Sequence, residues 1–411
     1  MTGPLAPAAR AYAALFLEEN LGLVRGALGA DDVPTEFAES LSEAMRGSEA
    51  SESSEPTLDL RAKRLVTELE GALLDRDGFT LTKERWPCGA PYAACLTHDV
   101  DNVSRSRGHL VEVRQRFSRS DFLLALLGLK SVYNNISYVA EQEDQRKLHS
   151  SFYLLSSSYD LRPLAPTLRK LRERGWEVGL HGDFGTHDSE PKMAEATEKL
   201  QTATGARPRG VREHFLRFDY DVSWGIMDRQ GFVYDSSVGN RERIGFRLGL
   251  CNPFHPPGAD WTPLRVLEIP LVLMDTTLWG YLKRDEEAGK RDIRDIRTRV
   301  SAADGLFTVL WHQEAARMRG GRLYAWLLDE LLRDGCYVGS GDEIASWWKS
   351  RAGPMRRDGD VLRMENCPAG LTLRFKAKEE RKLSVEGGKA ETLANEAVIR
   401  VDPGSFRMEV G

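Results

Sequence analysis

Five times between Ala93 and His312, a short apolar run stops on an acidic, basic or imidazole side chain. Ala93-Ala94-Cys95-Leu96 leads into Thr97-His98-Asp99-Val100-Asp101, Glu177-Val178-Gly179-Leu180 into His181, and Gly210-Val211 into Arg212. Phe232-Val233-Tyr234 leads into Asp235, and Val309-Leu310-Trp311 into His312. Apolar runs of this length, separated by segments of helical period, read as parallel strands buried on both faces. A reactive residue at the end of successive strands is how a β/α barrel builds a site, from the loops of one rim.

The rest of the chain fills in that pattern. Phe152–Leu155, Val266–Leu271 and Cys336-Tyr337-Val338 supply further strands, and Leu164, Leu168 and Leu171 mark a helix stopped by Gly175. Met193, Ala196 and Leu200 mark another, closed by Gly205. About seven or eight strands with interleaved helices give the size and rhythm of a closed or partly open barrel. A doubly wound sheet would carry a Gly-rich phosphate turn after its first strand, and none is present. Residues 1–86 read as a helical appendage, with helices over Ala8–Val24 and Leu60–Leu74 and a mobile Ser/Glu-rich stretch at Ser48–Glu55. Residues 87–352 form the barrel. Residues 353–411, with alternating runs split by Gly, Asn and Pro, form a small antiparallel β-module. An insertion after the first barrel strand carries an apolar helix over Phe122–Leu129, expected to pack on the barrel or act as a lid.

Composition excludes some functions. Lys and Arg total 57 against 62 Asp and Glu, for a net charge of −5, so no basic excess points to nucleic acid. Five cysteines without a C-x-x-C pair fit a reduced setting. Ala11–Leu17 lacks a preceding basic region and runs into Glu18-Glu19, which reads as a helix and not a signal peptide. No apolar stretch approaches membrane-spanning length. The expected location is cytoplasmic, at most peripheral to a membrane. Cys251 and His255 have ligand spacing but lack a second pair, so a packed loop is expected there.

The chemistry starts at the first strand. Alternate strand residues share a face, so Asp99 and Asp101 point into one cavity, where one carboxylate can bind a cation and the other move protons. The order THDVD, then Leu180-His181, Gly210-Val211-Arg212, FVYDSS and Leu310-Trp311-His312 resembles the polysaccharide deacetylases of carbohydrate esterase family 4, the NodB-homology domain, over residues 90–350. The resemblance implies a distorted (β/α)7 barrel holding one divalent metal ion, commonly zinc, that hydrolyses N-acetyl groups on amino sugars of a polysaccharide or lipid-linked precursor.

Carried over residue by residue, the resemblance makes Asp99 the base and Asp101 a metal ligand, with Val100 between aspartates that are usually adjacent. His181 becomes the first metal histidine. The family's second histidine falls at Gly185, so His187 is the expected third ligand and His214 its alternative. Arg212 holds the base, although the prolines that usually follow it are missing. His312 is the general acid, and Asp235 is expected to orient it. Trp279, Tyr281 and Phe215 are candidates to stack on sugar rings. Two other readings stay open: hydrolysis of a small cyclic amide on the same fold, and a barrel that binds carbohydrate without turning it over.

Overall fold

The computed structural model describes residues 6–23, 27–48, 52–103, 110–111, 114, 119–128, 133–317, 321–353 and 355–411. The chain opens with helices Pro7–Leu21, Thr35–Met45 and Thr57–Asp77, which bury Tyr12, Phe16, Leu17, Phe37 and Leu41 in a core continuous with the barrel's outer face. Polar contacts fix the docking. Tyr12 donates to the His255 carbonyl at 2.9 Å, and Asp59 accepts from the Cys251 and Asn252 amides at 2.6 and 3.2 Å. Within the stretch expected to be mobile, Ser53 bridges Phe246, while residues 49–51 lie outside the described residues.

After the helices, β1 (Phe79–Lys83) is followed by the barrel strands β2 (Ala93–Val100), β3 (Ser151–Leu155), β4 (Glu177–Gly182), β5 (Gly210–Glu213) and β6 (Tyr234–Asp235). Then come β7 (Leu267–Glu268), β8 (Leu273–Met274), β9 (Leu306–Leu310) and β10 (Tyr337–Gly339). The sheet runs β7-β6-β5-β4-β3-β2-β9-β8, every pair parallel, with β10 beside the start of β2. Its two edges belong to one stretch of chain. The Leu267, Ile269 and Leu271 amides bond to carbonyls of Val233, Asp235 and Val238, while Val272 bonds to Thr308. Residues 266–274 therefore close the circle as a seventh strand position. This is the distorted (β/α)7 barrel that the motifs implied.

Strand parity sorts the side chains. On β2, Ala94, Leu96 and Val100 face the helices, while Ala93 and Cys95 join an inner core with Tyr153 and Tyr234. Those tyrosines plug the lower barrel, their hydroxyls 2.9 Å apart. Gly210 is required beside them, since a Cβ there would lie 2.1 Å from the Tyr234 ring.

The base of the barrel is sealed by helix Gly341–Arg351. Ser340 caps it by accepting from Glu343 N, while the Glu343 carboxylate accepts from Ser340 N. Below it lie β11 (Met355–Asp358), β12 (Val361–Cys367), β13 (Thr372–Ala377), β14 (Leu383–Glu386), β15 (Gly388–Leu393), β16 (Glu396–Val401) and β17 (Gly404–Val410). They form two antiparallel sheets, β1-β13-β16-β15 and β11-β12-β17-β14. The region expected to be helical thus gives a strand to the C-terminal module. Phe79 and Leu81 of β1 are buried with Leu373 and Phe375, and each such side chain contributes on the order of 2 kcal/mol. Trp347 and Trp348 carry this core up to Tyr234 and Ile269. Lys83 and Arg351 stitch the junction. Lys83 donates to the Arg351 and Gly353 carbonyls at 2.8 and 2.5 Å, and Arg351 donates to those of Glu19 and Glu84 at 2.8 Å each.

Candidate active site

On the inner face of β2, Thr97 and Asp99 follow Cys95 upward, and Asp101 stands just past the strand end. Between the aspartates Val100 faces the helices, and so does His98, whose Nδ1 lies 2.6 Å from the Trp311 carbonyl and Nε2 2.8 Å from buried Glu143. Arg212 enters from β5 and is held on every side. Its Nη1 donates to Thr97 Oγ1 at 2.6 Å and Asp99 Oδ1 at 3.2 Å, and Nε and Nη2 donate to Ser236 O and Oγ at 2.8 and 2.7 Å. The guanidinium also sits 4.7 Å above the Tyr153 ring. Asp99 is left with one oxygen, Oδ2, toward the cavity, 3.5 Å from His181 Nε2.

Three groups converge above it. His181 Nε2 lies 3.2 Å from Asp101 Oδ1, and His214 Nε2 lies 3.8 Å from the same oxygen. The three potential ligand atoms fall within 4.8 Å of one another, and this is the group of its kind found among the described residues. His181 Nδ1 donates to the Arg212 carbonyl at 2.7 Å, which leaves the Nε2 lone pair for the cavity. His214 is held by stacking on Phe215, with ring centroids 4.1 Å apart. Asp101 Oδ1 is buried with no hydrogen-bond partner, as expected of an oxygen awaiting a cation. An imidazole–imidazole–carboxylate set suits zinc and leaves a position open. Burial alone would raise the Asp101 pKa, but His181 and the other imidazoles hold it well below the usual range.

Across the cavity, His312 Nε2 lies 3.6 Å from Asp101 Oδ2. Its Nδ1 donates to Asp275 Oδ1 at 2.6 Å, and its backbone amide donates to Asp275 Oδ2 at 3.2 Å. Burial would lower the His312 pKa, yet Asp275 outweighs it and pushes the pKa up to about 10. Glu314, two residues on, is pushed up to about 8 by burial and by the charge of Asp101.

Two expectations are corrected here. Asp235 does not orient His312. Tyr234 points into the barrel, so Asp235 faces outward, where it accepts from Ser237 at 2.5 Å and lies against Glu268. Burial raises the pKa of both carboxyls, and their mutual repulsion keeps a proton on the pair. His187 does not join the metal group either. Ser223 donates to its backbone carbonyl at 2.8 Å, tying the loop to the helix Ser223–Arg229, and its ring faces Asp188 at 3.8 Å. Asp275 was missed because it follows a two-residue strand with no periodic signature.

Neighbouring features shape the rim. Gly182 follows His181 because a Cβ there would lie 2.2 Å from Glu213 Oε2. Phe215 and Leu216 are both left-handed, at φ 59° and 51°, which costs about 1–2 kcal/mol each. That turn leaves Phe215 half exposed beside Phe184 and seats Leu216 against Leu271, Met274 and Leu310. Arg217 lies 4.1 Å over Phe184. Of the other aromatic candidates, Trp279 packs on Trp311 and Tyr281 is exposed. Cys251 is buried, and His255 Nδ1 bonds the Val266 carbonyl at 3.2 Å, as a packed loop requires.

No family model and no curated protein matches the chain. Solved structures do. A protein assigned as a polysaccharide deacetylase from Mycobacterium smegmatis is 16% identical, with a TM-score of 0.49, over 66% of this chain and 96% of that one. Puue allantoinase is 17% identical, with a TM-score of 0.45, over 65% of this chain and 93% of that one. A CE4 family pseudoenzyme from Bacillus anthracis is 12% identical, with a TM-score of 0.34, over 62% of this chain and 65% of that one.

Proposed function

We propose that this protein is a metal-dependent hydrolase that removes N-acetyl groups from amino sugars of a glycan or glycan precursor. The observation that carries this reading is one cavity with three differently prepared groups. Asp101, His181 and His214 offer a ligand set, Asp99 is clamped by Arg212, and His312 is clamped by Asp275. A divalent cation held by the first set would supply Lewis acidity, making nearby water more acidic and an amide carbonyl more electrophilic.

The chain's own residues divide the proton work. Asp99 Oδ2 accepts the proton of the attacking water, while Arg212 fixes the other oxygen and so the direction of the open one. As the C–N bond breaks, His312 Nε2 delivers a proton to the departing nitrogen, giving a free amine and acetate. Asp275 holds His312 in its proton-carrying form and aims Nε2 inward. The half-exposed Phe184 and Phe215 offer an apolar wall beside His214, which suits the nonpolar face of a sugar ring.

Acetate release from N-acetylglucosamine oligomers, measured together with bound zinc, tests the reading. Asp99→Asn should keep fold and metal while turnover falls roughly 10²–10⁴-fold. Near wild-type turnover in that variant would move the base to another group, Glu314 first.

A further inference from the structure

The barrel sheet parts beside the site, and one side chain spans the parting. β2 stays paired with β3 through Val100 and Leu154, but its pairing with β9 ends at Thr97 and Leu310. Past that point Asp99 and Asp101 continue on one side and His312 on the other, so the widening between these strands is the space between base and acid. A last backbone bond runs from Trp311 N to Thr97 O at 2.9 Å. The Trp311 carbonyl, one peptide before His312, accepts from the His98 ring, whose Nδ1 lies 2.6 Å away. A carbonyl oxygen can only accept, so Nδ1 carries the hydrogen.

The ring is itself held from behind. Nε2 lies 2.8 Å from Glu143 Oε1, and the ring stacks on Phe152 with centroids 4.8 Å apart. Tyr324 donates to the same Glu143 oxygen at 2.5 Å, while Ser150 and Trp176 donate to Oε2 at 2.8 and 2.7 Å. Both His98 and Glu143 are fully buried. Glu143 belongs to the helix Ile136–Asp144, by which the insertion after β2 returns to the barrel. The insertion's earlier helix, Arg119–Leu126, packs in a small cluster of its own with Leu110 and Tyr133. The returning helix is tied at its start as well, where the Asn135 amide donates to Gln313 Oε1 at 2.7 Å. His312 therefore lies between two neighbours, Trp311 and Gln313, that are anchored to one helix. An apolar side chain could fill the outward position of His98, but it could not make the bond to Trp311.

We propose that His98 is a positioning residue, which sets the separation of Asp99 and His312 by bridging β2 to the Trp311 carbonyl where the ladder has ended. The role rests on the reaction assigned above, in which Asp99 must face the water while His312 Nε2 reaches the departing nitrogen. A misplacement of about 1 Å can cost on the order of 10²-fold in rate.

Two substitutions separate the bond from the bulk. His98→Phe keeps a ring to stack on Phe152 but removes the donor, and His98→Leu replaces it if that variant does not fold. His98→Asn loses the ring's volume but carries an amide nitrogen close to where Nδ1 stood. With zinc-loaded protein and N-acetylglucosamine oligomers, kcat should fall roughly 10–100-fold in the Phe variant, with KM and zinc content close to wild type. The Asn variant should recover most of that loss, although the cavity it leaves makes it the lower-melting of the two. A histidine that only stabilises the fold would make turnover follow melting temperature. A Phe variant as active as wild type, or an Asn variant no more active than the Phe one, overturns the proposal. Crystal structures of the variants read the same quantity without turnover. The separation of Asp99 and His312 should match wild type with Asn and differ with Phe. If the wild-type protein releases no acetate, the assigned reaction fails and that separation decides alone, an unchanged value in the Phe variant overturning the role of His98.

Discussion

The two ends of the barrel bury carboxylates for opposite purposes. At the lower end, Glu177 Oε2 accepts from Ser151, Tyr234 and the Asp342 amide at 2.6, 2.7 and 2.8 Å, beneath a sealing helix. At the upper end, Asp101 keeps a buried oxygen without a partner, surrounded by imidazoles. The lower end meets its acid with neutral donors, and burial with the nearby Asp342 charge pushes Glu177 up to about 7. Each end leaves one carboxylate oxygen without a hydrogen-bond partner, Glu177 Oε1 below and Asp101 Oδ1 above, but the upper end meets its acids with an arginine and imidazoles. A barrel can hold unpaired charge where a ligand enters and must neutralise it where none does.

The largest expected effect breaks the upper end. His214→Ala should lose stoichiometric zinc, whereas His187→Ala should retain it, as read by elemental analysis of the purified proteins. Zinc kept by the first variant and lost by the second would reverse the ligand assignment, and with it the contrast between the ends.

A smaller effect sharpens the contrast within the upper rim. Asp275→Asn should slow turnover roughly 10–100-fold, the usual cost of removing a partner that orients a site group. Asp275 holds the His312 pKa above its ordinary value, and His312 must be protonated to act as an acid. Removing Asp275 should therefore move the basic limb of the pH–rate profile to lower pH. Asp235→Asn, on the outer face, should leave that limb in place. A shift in the Asp235 variant, or none in the Asp275 variant, would restore the original assignment.

The smallest effect tests the lower end. Glu177 has a folded pKa raised above its unfolded value, so between about pH 4.5 and 7 the folded chain keeps a proton that the unfolded chain releases. Its contribution to stability is full below that window and is lost as pH rises through it. Glu177→Gln should gain a few degrees in melting temperature over wild type at pH 8 and little at pH 4. An equal difference at both values would show that Glu177 titrates normally.

Much of this was legible in the chain because parity and strand ends are local. Asp99, Asp101, His181, Arg212 and His312 lie where short apolar runs stop, and alternation alone turns the two aspartates into one cavity. What stayed hidden depends on partners far away in sequence or on the path of a loop. Choosing His214 over His187 required knowing that the loop after β4 is tied to the helix Ser223–Arg229. Asp235 was misread because its parity is set by Tyr234, and a two-residue strand gives no pattern from which to read it. Phe79–Lys83 alternates as a strand should, but nothing local says that it pairs with Thr372–Ala377.

That pairing has a consequence for how the chain is made. Phe79 lies opposite Ala377, so roughly 300 residues must be synthesised before β1 finds its partner. At about 5–20 residues per second, this delay is roughly 15–60 s, most of it spent synthesising the barrel itself. Throughout that interval Phe79 and Leu81 sit on an unpaired strand edge, the kind of surface that recruits other chains. A ribosome-bound chaperone that shields such edges would matter most for this short stretch. A chain ending before Thr372 would never release it.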